Sequence, residues 1–182
     1  RGEQWQQALS LLGEMWELRI EPNVISFNAG ISSCEKGGQW QLALSKLSEM
    51  RGSALEPSAI SFNAAISACE KAGQWKQALS VFGEMRDVAM DPDIVSFNSA
   101  ISACETGGQW QQALSALSEM LRLKLQPDLI SYSTGIDACD KGLQWQQALW
   151  LISKICAASL EPDVISFNSA ISACGKSGEW QQ

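Results

Sequence analysis

The chain has 182 residues, is 46% hydrophobic and carries a net charge of −7. That hydrophobic share is too high for a disordered chain, and no apolar run approaches the roughly 20 residues of a membrane span. There is no histidine, which excludes histidine bases, histidine metal ligands and the zinc deaminase signature.

The chain repeats itself. The segment ISFNAAISACE at 60–70 returns at 25–35, 95–105, 130–140 and 165–175, always 35 residues on. Prolines (Pro22, Pro57, Pro92, Pro127, Pro162) and tryptophans (Trp5, Trp40, Trp75, Trp110, Trp145, Trp180) keep the same step. A fixed period of this length marks a stacked array rather than one central core. Complete copies run 24–58, 59–93, 94–128 and 129–163; residues 1–23 hold the end of an earlier copy and 164–182 the start of a later one. Both ends cut through a copy, which suggests a piece of a longer array.

In the first full copy a helix is predicted over about 26–36. Phe27, Ile31 and Cys34 fall on one helical face, with Ser26 as N-cap and Gly37-Gly38 as terminator. A second helix is predicted over about 39–51, with Trp40, Ala43, Leu44, Leu47 and Met50 on its stripe. Pro57 closes the unit. Two short amphipathic helices cannot bury both their faces alone, so pairs must stack. The expected fold is an all-α, right-handed α-solenoid of helix-turn-helix repeats, with the tryptophans as core anchors between helices or pairs.

Five of the six cysteines (Cys34, Cys69, Cys104, Cys139, Cys174) share one repeat phase. They are expected to pack as small hydrophobes. No CxxC pair points to metal. The sixth, Cys156, is a single-copy departure. No disulfide framework is expected, which suits a reducing compartment.

Four rows stay outside the packing pattern. One is polar, on the first helix: Asn28, Asn63, Asn98, Ser133, Asn168. A second lies at the repeat junctions: Asn23, Ser58, Asp93, Asp128, Asp163. A third is aliphatic: Ile25, Ile60, Val95, Ile130, Ile165. A fourth is basic, Arg1, Lys36, Lys71, Lys141 and Lys176, interrupted by Thr106. Taken singly, these residues suit local backbone bonds, turns, caps and helix C-termini. Together they supply what single-stranded RNA needs: polar groups for base edges, apolar contact for base faces and cations for phosphates.

The unit VISFNAGISSCEKGGQWQLALSKLSEMRGSALEPS resembles a pentatricopeptide repeat of the 35-residue P type. The marks are the hydrophobic-Ser-aromatic-Asn opening, Cys-acid-Lys-x-Gly, Ala-Leu and Glu-Met in the second helix, and Pro-Asp at the close. The Trp-x-x-Leu-Gly-x-x-Tyr pattern of 34-residue tetratricopeptide repeats is absent. The resemblance implies single-stranded RNA as partner, one base per repeat, supporting RNA processing, stability or editing in a mitochondrion or chloroplast.

It further implies that bases are selected by the Asn or Ser of the first helix together with the last residue of the repeat. Asn28 with Ser58 then implies a pyrimidine. Asn63 with Asp93, and Asn98 with Asp128, imply uracil. Ser133 with Asp163 implies guanine, giving 5′-Y-U-U-G-3′ in the family's parallel polarity. Asn168 and Asn23 belong to broken copies. The aliphatic row resembles the family's base-stacking wedges, and Lys36, Lys71, Lys141 and Lys176 its phosphate contacts.

The copy 129–163 departs most, with Tyr132 for Phe, Ser133 for Asn, Leu143 for Gly and Lys154 for Glu. The acids Glu35, Glu70, Glu105 and Asp140 precede the basic row and offset it. The alternative reading is an acidic protein-interaction scaffold without nucleic-acid binding. No nucleophile–base set suggests an enzyme, and no cofactor or metal is implied. Faces left uncovered at the cut ends suggest self-association.

Overall fold

The computed structural model describes residues 4–178. Arg1 and Trp180 lie outside them. The chain is an all-α repeat solenoid, in two compact units that meet in sequence between Pro92 and Asp93.

The first unit holds α1 (Gln4–Glu17), α2 (Val24–Lys36), α3 (Trp40–Gly52), α4 (Ala59–Lys71) and α5 (Trp75–Asp87). The second holds α6 (Ile94–Thr106), α7 (Trp110–Arg122), α8 (Leu129–Lys141), α9 (Trp145–Ala157) and α10 (Val164–Lys176). In the first unit α2 packs on α4, and in the second α8 packs between α6 and α10. The backbones of the second helices α3 and α5 do not approach closely, nor do those of α7 and α9, though Arg51 on α3 reaches Glu84 on α5 at 2.9 Å. Side-chain size accounts for the difference. The first helices bury small residues, such as Ala64, Ala65 and Ala68 on α4 and Ala138 on α8. Their backbones can therefore approach.

The core follows the predicted stripes. Phe27, Ile31, Cys34, Ala43 and Met50 are completely buried. So are Phe62, Ile66, Cys69 and Met85, and in the second unit Ile136, Cys139 and Ile155. Four of the five in-phase cysteines are buried, while Cys174 is half-buried and Cys156 exposed. Burial pushes the thiols of Cys69 and Cys104 up to about 11 and that of Cys139 to about 12.

The described tryptophans of the series are only half-buried. Trp5 and Trp110 sit between pairs. The indole of Trp5 lies over Gly37, and that of Trp110 over Gly142, so closely that a Cβ at either glycine would meet indole carbon Cδ1 within 2.4 Å. Gly37 and Gly142 thus make room for the ring of the preceding repeat.

The helix starts differ from expectation. The N-cap of α2 is Asn23, not Ser26: its side chain accepts from the backbone N–H groups of Ile25 and Ser26. An extended residue after Pro22 places a short polar side chain over the first turn, and Asn caps as well as Ser. Ser26 instead completes a capping box, its hydroxyl accepting from the Asn23 backbone N–H. Ser58, Asp93 and Asp128 form the same box at α4, α6 and α8, and Asp163 caps α10 by accepting from the Ser166 backbone N–H.

Leu143 stands at the terminator position held elsewhere by Gly38, Gly73, Gly108 and Gly178, and shares their left-handed backbone at φ 57°. Two other departures of that repeat explain each other. The Lys154 ammonium lies over the ring of Trp150, 5.0 Å from its centre, a cation–π contact one helical turn long. Trp16 is exposed, and nothing in the structure explains it. On α10, Phe167 and Ile171 are exposed where their counterparts in earlier repeats are buried. The self-association expected of such faces finds no support here.

Candidate functional site

The aliphatic row stands in solvent. Ile25, Ile60, Val95, Ile130 and Ile165 are each more than half exposed, an arrangement that core packing does not call for. Each lies three residues before a polar residue of the first row, so the two share a helix face. Asn28, Asn63, Asn98 and Ser133 are half-buried beside them, and Asn168 is exposed.

The structure brings the first and second rows together across 30 residues of sequence. Asn28 Nδ2 donates to Ser58 Oγ at 3.2 Å. Asn98 Nδ2 donates to Asp128, 3.2 Å from Oδ1 and 3.4 Å from Oδ2. Asn63 and Asp93 occupy the same register positions on α4 and before α6, in different units. Ser133 does not bond Asp163 directly; the two meet through Ser166, whose hydroxyl lies 2.7 Å from Ser133 Oγ and 2.6 Å from Asp163 Oδ1. Asn23 lies exposed at the cap of α2.

Every junction residue is also a helix cap, and at Asp128 and Asp163 that sets the charge. At Asp128, burial alone would raise the carboxyl, but hydrogen bonds from the Ser131 backbone and hydroxyl and from Asn98 outweigh it and hold the group below its ordinary value. At Asp163, the Ser166 hydroxyl and backbone N–H pull the same way. Both are ionised at neutral pH and act only as acceptors.

A row that sequence reasoning passed over lies beneath the pairs. Ser61, Ser96, Ser131 and Ser166 are completely buried. The Ser61 hydroxyl donates to Asn28 Oδ1, and the Ser131 hydroxyl to Asn98 Oδ1 at 2.6 Å. The signal was present, since serine recurs at this phase in all five copies while its neighbours vary. Reading Ser26 as a cap hid it.

The basic row is not free. Lys71 pairs with Glu35, Lys141 with Glu105 at 2.6 Å, and Lys176 with Asp140 at 2.6 Å. Each bridge ties the end of one first helix to the end of the preceding one. Ser67 adds a hydrogen bond to Glu35 at 3.0 Å. Lys36 is exposed at the end of α2. Thr106, in the gap of the row, turns its hydroxyl onto the Ala103 carbonyl at 2.9 Å.

Residues 57–106 and 92–141 match the PPR repeat family, 3–37 the pentatricopeptide repeat domain, and 25–54 and 165–182 the PPR repeat. The chain belongs to the pentatricopeptide repeat family. Its fold is shared with the maize pentatricopeptide repeat protein PPR10, at 27% identity and TM-score 0.68 over 96% of this chain. PPR10 in complex with an 18-nt psaJ RNA element superposes over the whole chain, at 22% identity and TM-score 0.70. The chain spans 25% of PPR10 in either case. The PPR domain of Arabidopsis thaliana protein-only RNase P 1, in complex with tRNA, matches at 15% identity and TM-score 0.74, covering 83% of this chain and 80% of that domain. No curated protein matches the sequence. Among the described residues no helix is long and apolar enough to cross a membrane.

Proposed function

We propose that this pentatricopeptide repeat chain is a non-catalytic binder of single-stranded RNA, taking one base per repeat at a site near 5′-Y-U-U-G-3′. The observation that carries the reading is the bonded pair, Asn28 with Ser58 and Asn98 with Asp128, set beside an exposed aliphatic residue. Relatives in this family are known in complex with RNA. Organelle RNA processing, stability or editing is the setting this implies.

The chemistry of each pair supports its base. Uracil N3 presents a proton, whereas cytosine N3 presents a lone pair. A carboxylate kept ionised beside Asn98 favours the first and repels the second. Ser58, which can donate or accept, tolerates either pyrimidine. Ser133 is shorter than asparagine and leaves room for a purine. The Ser166 proton goes to the Asp163 carboxylate, so Ser133 donates its own proton inward and shows only lone pairs outward. Guanine N1–H and N2–H₂ suit that face, while adenine N1 does not.

The test is to substitute Asn63→Thr and compare oligonucleotides carrying YUUG and YGUG at one stated salt concentration. Preference should move from the first toward the second. Equal binding of the wild type to both, or to neither, would refute base reading and favour a protein-interaction scaffold, which the net charge of −7 also suits.

A further inference from the structure

We infer that the buried serine below each reader is a positioning residue for base selection, and that its effect depends on the cap beside it. The inference rests on the RNA reading above. An asparagine amide offers one donor end and one acceptor end, and turning it by half a rotation exchanges the pattern shown to a base. What holds it is the relay beneath.

In repeat 94–128 the relay runs one way. Asp128 is a carboxylate and can only accept, so it takes Asn98 Nδ2. Asn98 Oδ1 then needs a donor, and the Ser131 hydroxyl supplies it at 2.6 Å, its one proton shared with Asp128 Oδ1 at 2.8 Å. Ser131 is completely buried and touches no ligand itself. A turned amide would set Oδ1 against the carboxylate. Asn98 is locked, with its second N–H and one Oδ1 lone pair facing outward.

In repeat 24–58 the same relay is reversible. Ser58 and Ser61 are both hydroxyls, 3.1 Å apart, and either can donate. Asn28 can bond them with Nδ2 on Ser58, as observed, or turned about. A locked amide distinguishes uracil from cytosine, and a reversible one accepts both. The pyrimidine-only choice of this repeat therefore has its origin in the relay as well as in Ser58 itself.

The two serines make a matched test. Ser61→Ala and Ser131→Ala each remove one capping-box hydroxyl, so a merely structural role affects both alike. Fluorescence anisotropy with labelled UUUG against UUCG reports the base at Asn98, and UUUG against CUUG the base at Asn28. Ser131→Ala should shrink the wild-type preference for UUUG over UUCG by about fivefold or more, roughly 1 kcal/mol. Ser61→Ala should leave the ratio of UUUG to CUUG unchanged. Ser131→Thr, which keeps the hydroxyl, should restore the preference. If circular dichroism shows that Ser131→Ala has lost its helices, Ser131→Cys is measured instead, since its thiol is a weak donor of similar size, and the same loss is expected.

An unchanged UUUG to UUCG ratio in the variant overturns the proposal, as does an equal loss of ratio in both alanine variants. A wild type that binds RNA without preference at the third base overturns the base reading beneath it. The first two results leave that reading intact.

Discussion

On the proposed RNA reading, the ion pairs along the first-helix ends bear most directly on affinity, and Glu105→Gln probes them. Lys141 Nζ lies 2.6 Å from Glu105 Oε1; the lysine side chain is 47% exposed and the glutamate 19%. In this state the cation is largely neutralised before any phosphate arrives. Removing the carboxylate charge frees it. Each phosphate neutralised on a single strand steepens the slope of log K against log salt by about 0.7. Between 50 and 200 mM salt, one freed lysine should therefore add about 2.6-fold to the fall in affinity. The variant should bind more tightly than wild type at the lower salt and lose more of that affinity at the higher. Stability should change little, because a partly exposed ion pair is worth about 0.2–1 kcal/mol and Asp137 loses a repulsive neighbour. The assay is a salt series by fluorescence anisotropy with a UUUG-containing oligonucleotide. Glu105→Gln combined with Lys141→Gln should return the slope to the wild-type value. Parallel slopes for wild type and Glu105→Gln would refute the argument and place phosphates away from this row.

Three further outcomes follow from the packing. Leu143→Gly should stabilise the chain by about 1 kcal/mol in urea unfolding, because a left-handed L-residue costs about that much and glycine takes the same place in the other repeats; a lowered midpoint would contradict it. Asp137 stands where the other copies have serine. Burial raises its carboxyl, and Glu105 and Asp140 add to this against the Ser169 hydrogen bond and Lys141. Since its folded pKa is raised, its penalty is felt above that pKa and vanishes below the ordinary value of 3.8. Asp137→Ser should thus stabilise by about 0.5 kcal/mol at pH 7 and lose that gain as pH falls toward 3.8; an equal gain at both ends of the range would contradict the charge argument. A thiol reagent at pH 8 should modify exposed Cys156 fast and buried Cys69, Cys104 and Cys139 only on unfolding; a fast phase that survives Cys156→Ser would show that the core opens.

The 35-residue step, the helix pair and its buried faces were legible because each rests on spacing alone. Phe27, Ile31 and Cys34 fall on one face of any helix drawn through them. The cap was not legible to the residue. Asn23 and Ser26 are both cap-formers three positions apart, and only the extended backbone at Asn23 decides between them. The pairing of Lys71 with Glu35 could not be read either, because the partner lies 36 residues back and meets it only through stacking. Asn28 and Ser58 were matched through the family likeness; their hydrogen bond is what the fold adds. Three of the acids first read as a general offset to the lysines, Glu35, Glu105 and Asp140, prove to be individual partners of Lys71, Lys141 and Lys176.

Ser58 and Asp128 each start a helix and bond a reader. An N-cap is filled well by only a few side chains, Asn, Asp, Ser and Thr among them, and an apolar replacement costs about 1 kcal/mol. On the proposed reading, the vocabulary for addressing RNA is therefore bounded by what can begin α4 or α8. Rewriting the address with another side chain would loosen the helix of the following repeat, and so disturb the reading of the neighbouring base as well as its own.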